Sequence, residues 1–177
     1  MTRTLIACLL VAFSGVTAAA DAPPFELQSA DGELVALPRE HQGADLYFFW
    51  ATWCPYCKRL IPHLQSIVDE YGEDVRVYAI SIREDGDPVG YVKERGLGFT
   101  VLPEDGDPVA ERYGVKGTPG LFVVDGEGQI RFDLSALMAP SDKALEELSH
   151  GQRATRIAPW WAARLRETID KVVAGRD

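Results

Sequence analysis

Apolar residues along this chain fall in short blocks whose period changes from two to nearly four and back again. Phe25-Glu-Leu-Gln and Glu33-Leu-Val-Ala-Leu alternate apolar with polar positions around Asp31-Gly32, which predicts a hairpin. A polar connection from Pro38 to Asp45 leads into the apolar run Leu46-Tyr-Phe-Phe-Trp50, read as a buried strand. From Pro55 toward Tyr71 the period lengthens: Leu60, Ile61, Leu64, Ile67 and Val68 share one stripe, the pattern of a helix. Residues 75 to 82, rich in β-branched side chains, fit an inner strand. Gly120 to Val124 and Gln129 to Leu134, separated by Asp125 to Gly128, predict a hairpin that ends the sheet. Beyond it the pattern predicts a short helix over Ser141 to Ser149, a polar link over Gly151 to Ala158, and a longer helix from Pro159 to Ala174. Trp161, Leu165, Ile169, Val172 and Val173 lie at helical spacing on the last. The stretch from Ala136 to Ala158 is an elaboration to which the pattern gives no role.

One hexapeptide, Glu-Asp-Gly-Asp-Pro-Val, occurs at 84 to 89 and again at 104 to 109. Both copies put Asp before Pro at the start of a predicted helix, 88 to 95 and 108 to 113, which is helix-capping chemistry. The spacing lacks the ligand pattern of a calcium loop, so the copies are read as two similar loop-to-helix entries and not as a metal site.

Composition narrows the class. A chain of 177 residues, 46% hydrophobic and 25% charged, has room for one domain with a substantial core. Its net charge of -9 argues against nucleic acid or an anionic membrane surface as partner. Residues 1–20 read as a secretory signal: Arg3, then an apolar run from Leu5 to Val16, then Ala18-Ala19-Ala20 as cleavage site. The run is shorter than the ~18 to 20 residues that span a bilayer, so cleavage after Ala20 is expected, with no stable membrane insertion afterwards. The predicted domain is therefore 21–177. Cys8 leaves with the leader, and the mature chain keeps two cysteines, Cys54 and Cys57.

That pair sits where a predicted strand hands over to a predicted helix. The unpaired N–H groups and positive dipole end of a first helical turn stabilise an anion, which favours a thiolate at Cys54. Cys54 is the expected nucleophile, and Cys57, three residues on, is placed to resolve a mixed disulfide. A loop this small staples little chain entropy, so an exposed, reactive pair is expected instead of a structural disulfide. Zinc usually takes four ligands and no second pair exists; no metal or other cofactor is expected. His63 lies more than two turns along the helix, and His41 and His150 sit in polar segments without a signal. Trp53 and Tyr56 flank the thiols, Trp50 is divided between that frame and the core, and Lys58 brings a positive charge close by.

Trp53-Cys54-Pro55-Tyr56-Cys57-Lys58, Pro62 along the helix and Gly117-Thr118-Pro119 together resemble the thioredoxin superfamily. The Phe25-Glu-Leu opening, Trp50-Ala-Thr-Trp and the end of the 75 to 82 strand are most similar to its exported TlpA/ResA branch, which includes DsbE-like proteins. The resemblance covers roughly residues 25–134 and implies an α/β thioredoxin fold. That fold is a central mixed β-sheet flanked by helices, here with an N-terminal β-hairpin and a C-terminal helical extension over 135–177 that contains the closing helix. It implies a cis peptide at Pro119 lying against the sulfurs, a substrate backbone pairing at Thr118, and a client-facing surface of Trp53, Pro55 and Tyr56. The buried acid of thioredoxins falls on Phe48 here; Glu84, which aligns with an acid near the site in the TlpA/ResA branch, becomes the candidate proton relay for Cys57.

The function implied is that of a periplasmic protein disulfide reductase. Its partners would be exported client proteins carrying disulfides, such as apocytochromes awaiting haem or copper-site assembly proteins, and a membrane electron donor of the DsbD type. Two alternatives stand beside it. The order Pro55-Tyr56 is similar to that of DsbA-type oxidants, which implies a thiol oxidase or isomerase. The two thiolates alternatively suit a Cu(I)-binding assembly factor, although no distal histidine presents itself.

Overall fold

The run from Ala44 to Trp50 is buried along its whole length because it is the middle strand of the molecule. A computed structural model describes residues 20–137 and 143–175, so the expected leader up to residue 19, and residues 141 and 142 of the short helix expected from Ser141, lie outside the described residues. The strands are β1 (Ala20–Asp21), β2 (Phe25–Gln28), β3 (Leu34–Leu37), β4 (Ala44–Trp50), β5 (Val75–Ser81), β6 (Phe99–Pro103), β7 (Gly120–Asp125) and β8 (Gln129–Asp133). The helices are α1 (Pro55–Tyr71), α2 (Pro88–Glu94), α3 (Pro108–Arg112), α4 (Lys143–Glu146) and α5 (His150–Ala174). Six strands form one mixed sheet in the order β1-β8-β7-β4-β5-β6, with β4, β5 and β6 parallel and the remaining pairs antiparallel. β2 and β3 pair separately as the expected hairpin.

Side chains alternate across β4, so its unbroken apolar run serves two cores. Leu46, Phe48 and Trp50 meet Leu60 and Leu64 of α1 and Leu165 and Ile169 of α5; Tyr47 and Phe49 meet Phe25 and Leu37 of the hairpin, Val109 of α3 and Tyr113 just after it. The thioredoxin architecture, with hairpin and C-terminal helix, is thus in place.

Four features depart from the pattern-based reading. Residues 99–103, not singled out by periodicity, form β6 at the sheet edge. The β7–β8 hairpin does not end the sheet: β1 pairs outside it, Ala20 opposite Ile130 and Asp21 opposite Gln129. The polar link expected over Gly151 to Ala158 is helical, so α5 runs unbroken through Pro159. Proline there removes one intrahelical hydrogen bond, a cost of about 3 kcal/mol. Ala154, Ile157 and Ala158 before it and Ala162 and Leu165 after it are all buried on one stripe, and Ser149 and Gln152 form a reciprocal capping box at the start. Burial and capping together outweigh the missing bond.

The fourth departure concerns the repeated hexapeptide. Asp87 caps α2 as expected, its Oδ1 accepting from Gly90 N–H at 2.8 Å. Asp107 holds the corresponding position before α3 but makes no cap bond; its backbone is left-handed, φ +59°. Glu104 does the capping instead, its carboxylate accepting from the N–H groups of Val109 and Ala110. Identical residues therefore do different work, and Asp107 is free to bond elsewhere.

Candidate active site

Cys54 is the N-cap of α1, and its Sγ accepts the Cys57 N–H at 3.1 Å. Pro55 occupies the first helical turn, where its missing N–H costs nothing. The sulfur thus sits on the orphan donors and positive dipole end that favour a thiolate. Cys54 and Cys57 are joined in a disulfide, with Cα atoms 5.3 Å apart. Contrary to the exposed pair expected, both are buried, Cys54 being 1% exposed. They belong to the α1–α5 core cluster, with Tyr56, Tyr91, Leu137 and Trp161 packed against it.

The second half of the site arrives through the sheet. Phe49 pairs with Gly120 in the β4–β7 ladder, so the residues just before Gly120 are carried to the end of the sheet where β4 passes into the cysteine loop. There the Thr118–Pro119 peptide is cis, and both residues are half-buried. Trp53, immediately before Cys54, is 47% exposed, while Trp50 is wholly buried and stacked on Phe48 at 6.0 Å. Tyr56 is half-buried and packs edge-on against His150 and tilted against Trp161, both on α5. No spacing in the sequence linked His150 to the cysteines; the continuous α5 brings it there.

Glu84 reaches the cysteine loop without bonding to a sulfur. Its carboxylate accepts from Thr52 N–H at 2.7 Å and Thr52 Oγ1 at 2.5 Å, and from the N–H groups of Asp85 and Gly86. Partial burial pushes this carboxyl up, but the donated hydrogen bonds, led by those from Thr52, outweigh it and hold the group below its ordinary range. Gly86 allows the close approach, since a Cβ there would come within 2.5 Å of Thr52 Oγ1. Arg83, not flagged by the sequence, adjoins this anchor with φ +49°. His63 is half-buried on α1, its imidazole pushed down by burial and by Arg166.

A buried acid does exist, but at the other end of β4 from the cysteines. Asp45 is 1% exposed, with His41 Nε2 3.0 Å from its Oδ1. Burial raises its carboxyl above the ordinary range against the pull of His41, Arg39 and Arg76. Phe48, at the place where thioredoxins carry their acid, is fully buried and apolar.

A model of the AhpC/TSA family matches residues 18–133. The thiol-disulfide oxidoreductase ResA of Halalkalibacterium halodurans is 32% identical over 109 residues, 60% of this chain and 61% of that protein. ResA of Geobacillus thermodenitrificans is 29% identical over 156 residues, 79% of this chain and 89% of its own length. Among solved structures, a Chlorobium tepidum protein described as a DsbE-type thiol:disulfide interchange protein superposes with TM-score 0.60 and 26% identity, covering 80% of this chain and 99% of that one.

Proposed function

We propose, on the premise that this chain belongs to the AhpC/TSA family of the thioredoxin superfamily, that it is an exported, periplasmic thiol-disulfide oxidoreductase that reduces disulfides in client proteins. The observation that carries the reading is a Cys-x-x-Cys disulfide whose first sulfur caps the cysteine helix, at the end of the sheet that also holds a cis-proline loop. In the reduced protein the Cys54 thiolate attacks one sulfur of a client disulfide; the client S–S bond breaks and its other sulfur leaves as a thiol after taking a proton from solvent. Cys57 then attacks Cys54, the mixed disulfide breaks, and the second client thiol departs. Two electrons pass to the client, leaving the Cys54–Cys57 disulfide, which an external dithiol donor must reduce again. A membrane donor of the DsbD type fits that need, and exported clients awaiting cytochrome c maturation or metal-site assembly fit the relatives' class.

Thr118 and Pro119 are assigned to the client backbone, and Trp53, Pro55 and Tyr56 to the client-facing surface. For Glu84, four donated hydrogen bonds and a lowered carboxyl favour anchoring the cysteine loop over relaying a proton to Cys57.

The direction of electron flow is tested by equilibrating the Cys54–Cys57 couple with glutathione or dithiothreitol. A potential near the ~-270 mV of thioredoxin is expected for a reductase. One near the ~-120 mV of DsbA would overturn that reading and make the protein an oxidant. Replacing Cys57 with serine should trap a mixed disulfide at Cys54 with a client or model peptide; no trapped species at Cys54 would remove the exchange mechanism altogether.

A further inference from the structure

The two halves of the site come from chain segments more than sixty residues apart, and one residue outside both is bonded to each neighbourhood, by its carbonyl to one and by its guanidinium to the other. Arg83 follows β5 in a left-handed backbone conformation that a non-glycine residue adopts only at a cost. That turn points its carbonyl at Trp53, whose Nε1–H donates to it at 2.8 Å, immediately before Cys54. The guanidinium reaches the other way. Its Nε–H donates to Asp107 Oδ2 at 2.8 Å and its Nη1–H to the Lys116 carbonyl at 3.1 Å, two residues before Thr118–Pro119. Asp107 completes the clamp by accepting the Arg83 backbone N–H on Oδ1 at 3.3 Å. Asp107 is available because Glu104 has taken over the capping of α3, and it too is held left-handed. Two strained residues facing each other across one ion pair mark a geometry that the surrounding structure enforces.

We propose that Arg83 is a positioning residue that fixes the spacing between the Trp53–Cys54 loop and the Lys116–Pro119 loop, and so sets the width of the cleft into which a client polypeptide must fit. The inference rests on the thiol-disulfide reading of the site. Arg83 touches neither sulfur. A client polypeptide that lies along Thr118 and Pro119 while its disulfide meets Cys54 must engage both loops at once, whereas a small disulfide needs only Cys54. Lysine at 83 can keep the ion pair with Asp107, but a single ammonium cannot match the planar fork that also holds the Lys116 carbonyl.

The test compares wild type, Arg83→Ala and Arg83→Lys on two substrates, hydroxyethyl disulfide and insulin, with dithiothreitol as the electron source. For insulin, KM is expected to rise about tenfold in both variants, comparable to losing one hydrogen bond to a charged group. Turnover of hydroxyethyl disulfide and the Cys54–Cys57 potential should stay as in wild type. Equal losses on the two substrates, an unchanged insulin KM, or full recovery by lysine would each overturn the proposal. A wild-type protein that reduces neither substrate would overturn the exchange reading and this inference with it, which separates the two failures.

Discussion

At the scale of single residues, the cysteine loop is held by Glu84, which accepts from Thr52, and by Arg83, whose carbonyl accepts from Trp53. Cys54, Cys57 and Pro119 are legible because a strand-to-helix junction and a Thr-Pro in a glycine setting leave a local signature. His41–Asp45 and Arg83–Asp107 are not, since neither pairing has a pattern the sequence displays: the first needs a buried connection, the second a left-handed turn. Glu84 is the residue where both readings meet. A carboxyl whose folded pKa is lowered binds its proton less tightly in the native state than in the unfolded one. Its contribution is therefore complete above the unfolded value of 4.5 and is lost as pH falls from there through the folded value. Glu84→Ala should destabilise the protein by about 2 kcal/mol near neutrality, the worth of hydrogen bonds to a charged group, with the gap closing in acid. Denaturant titrations across the acid range measure this. Glu84→Gln keeps an acceptor for Thr52 but cannot take up a proton. If it retains most of the stability and releases client from a single-turnover mixed disulfide at the wild-type rate, Glu84 is an anchor; slowed release with intact stability would instead support the relay.

At the scale of elements, the apolar pattern found β2, β3, β4, β5, β7 and β8 and the helix α1 with its continuous stripe. It lost β6, a five-residue edge strand interrupted by Thr100 and ending in proline, and it broke α5 in two. The second miss has a clear cause. A proline in a polar stretch is ordinarily a helix start, and the stabilising terms here, burial of Ala154, Ile157 and Ala158 against the rest of the fold, exist only after packing. Two substitutions test this account. Pro159 is exposed, so Pro159→Ala restores an N–H donor without opening a cavity and should raise stability by about 1 to 3 kcal/mol. Ser149→Ala removes the capping box and should lower it by about 1 kcal/mol. Because the first turn of α5 packs His150 on Tyr56 between the two cysteines, Ser149→Ala should also loosen the site, read as faster alkylation of the reduced Cys54. No change in alkylation would show that α5 frays without the site noticing.

At the scale of the whole molecule, the fold reaches further toward the N-terminus than the alternation beginning at Phe25 suggested. Residues 21 to 24 have no periodicity to reveal them, yet each is tied to a different part of the structure. Asp21 Oδ1 accepts from Gln129 Nε2 at 2.5 Å, and Ala22 donates its N–H to the Gly128 carbonyl at 2.8 Å while its side chain is buried. The Pro23 carbonyl accepts from Tyr113 Oη at 2.8 Å, and the Pro24 carbonyl from Arg112 Nη1 at 2.7 Å. The segment thus fastens the β7–β8 hairpin to the α3 side of the molecule, and the expected cleavage after Ala20 would leave all four ties intact while removing only the outermost rung of β1. A chain beginning at Asp21 should therefore melt at the same temperature as one beginning at Ala20. A chain beginning at Phe25 forfeits four hydrogen bonds worth roughly 1 kcal/mol each at most, and should melt about 10 °C lower. If the shorter chain melts with the longer ones, these ties add nothing beyond what water offers the same groups, and the boundary of the fold lies at β2 after all. If the chain beginning at Asp21 already melts lower, the Ala20–Ile130 rung matters, and processing after Ala20 would cut into the fold and not merely release it.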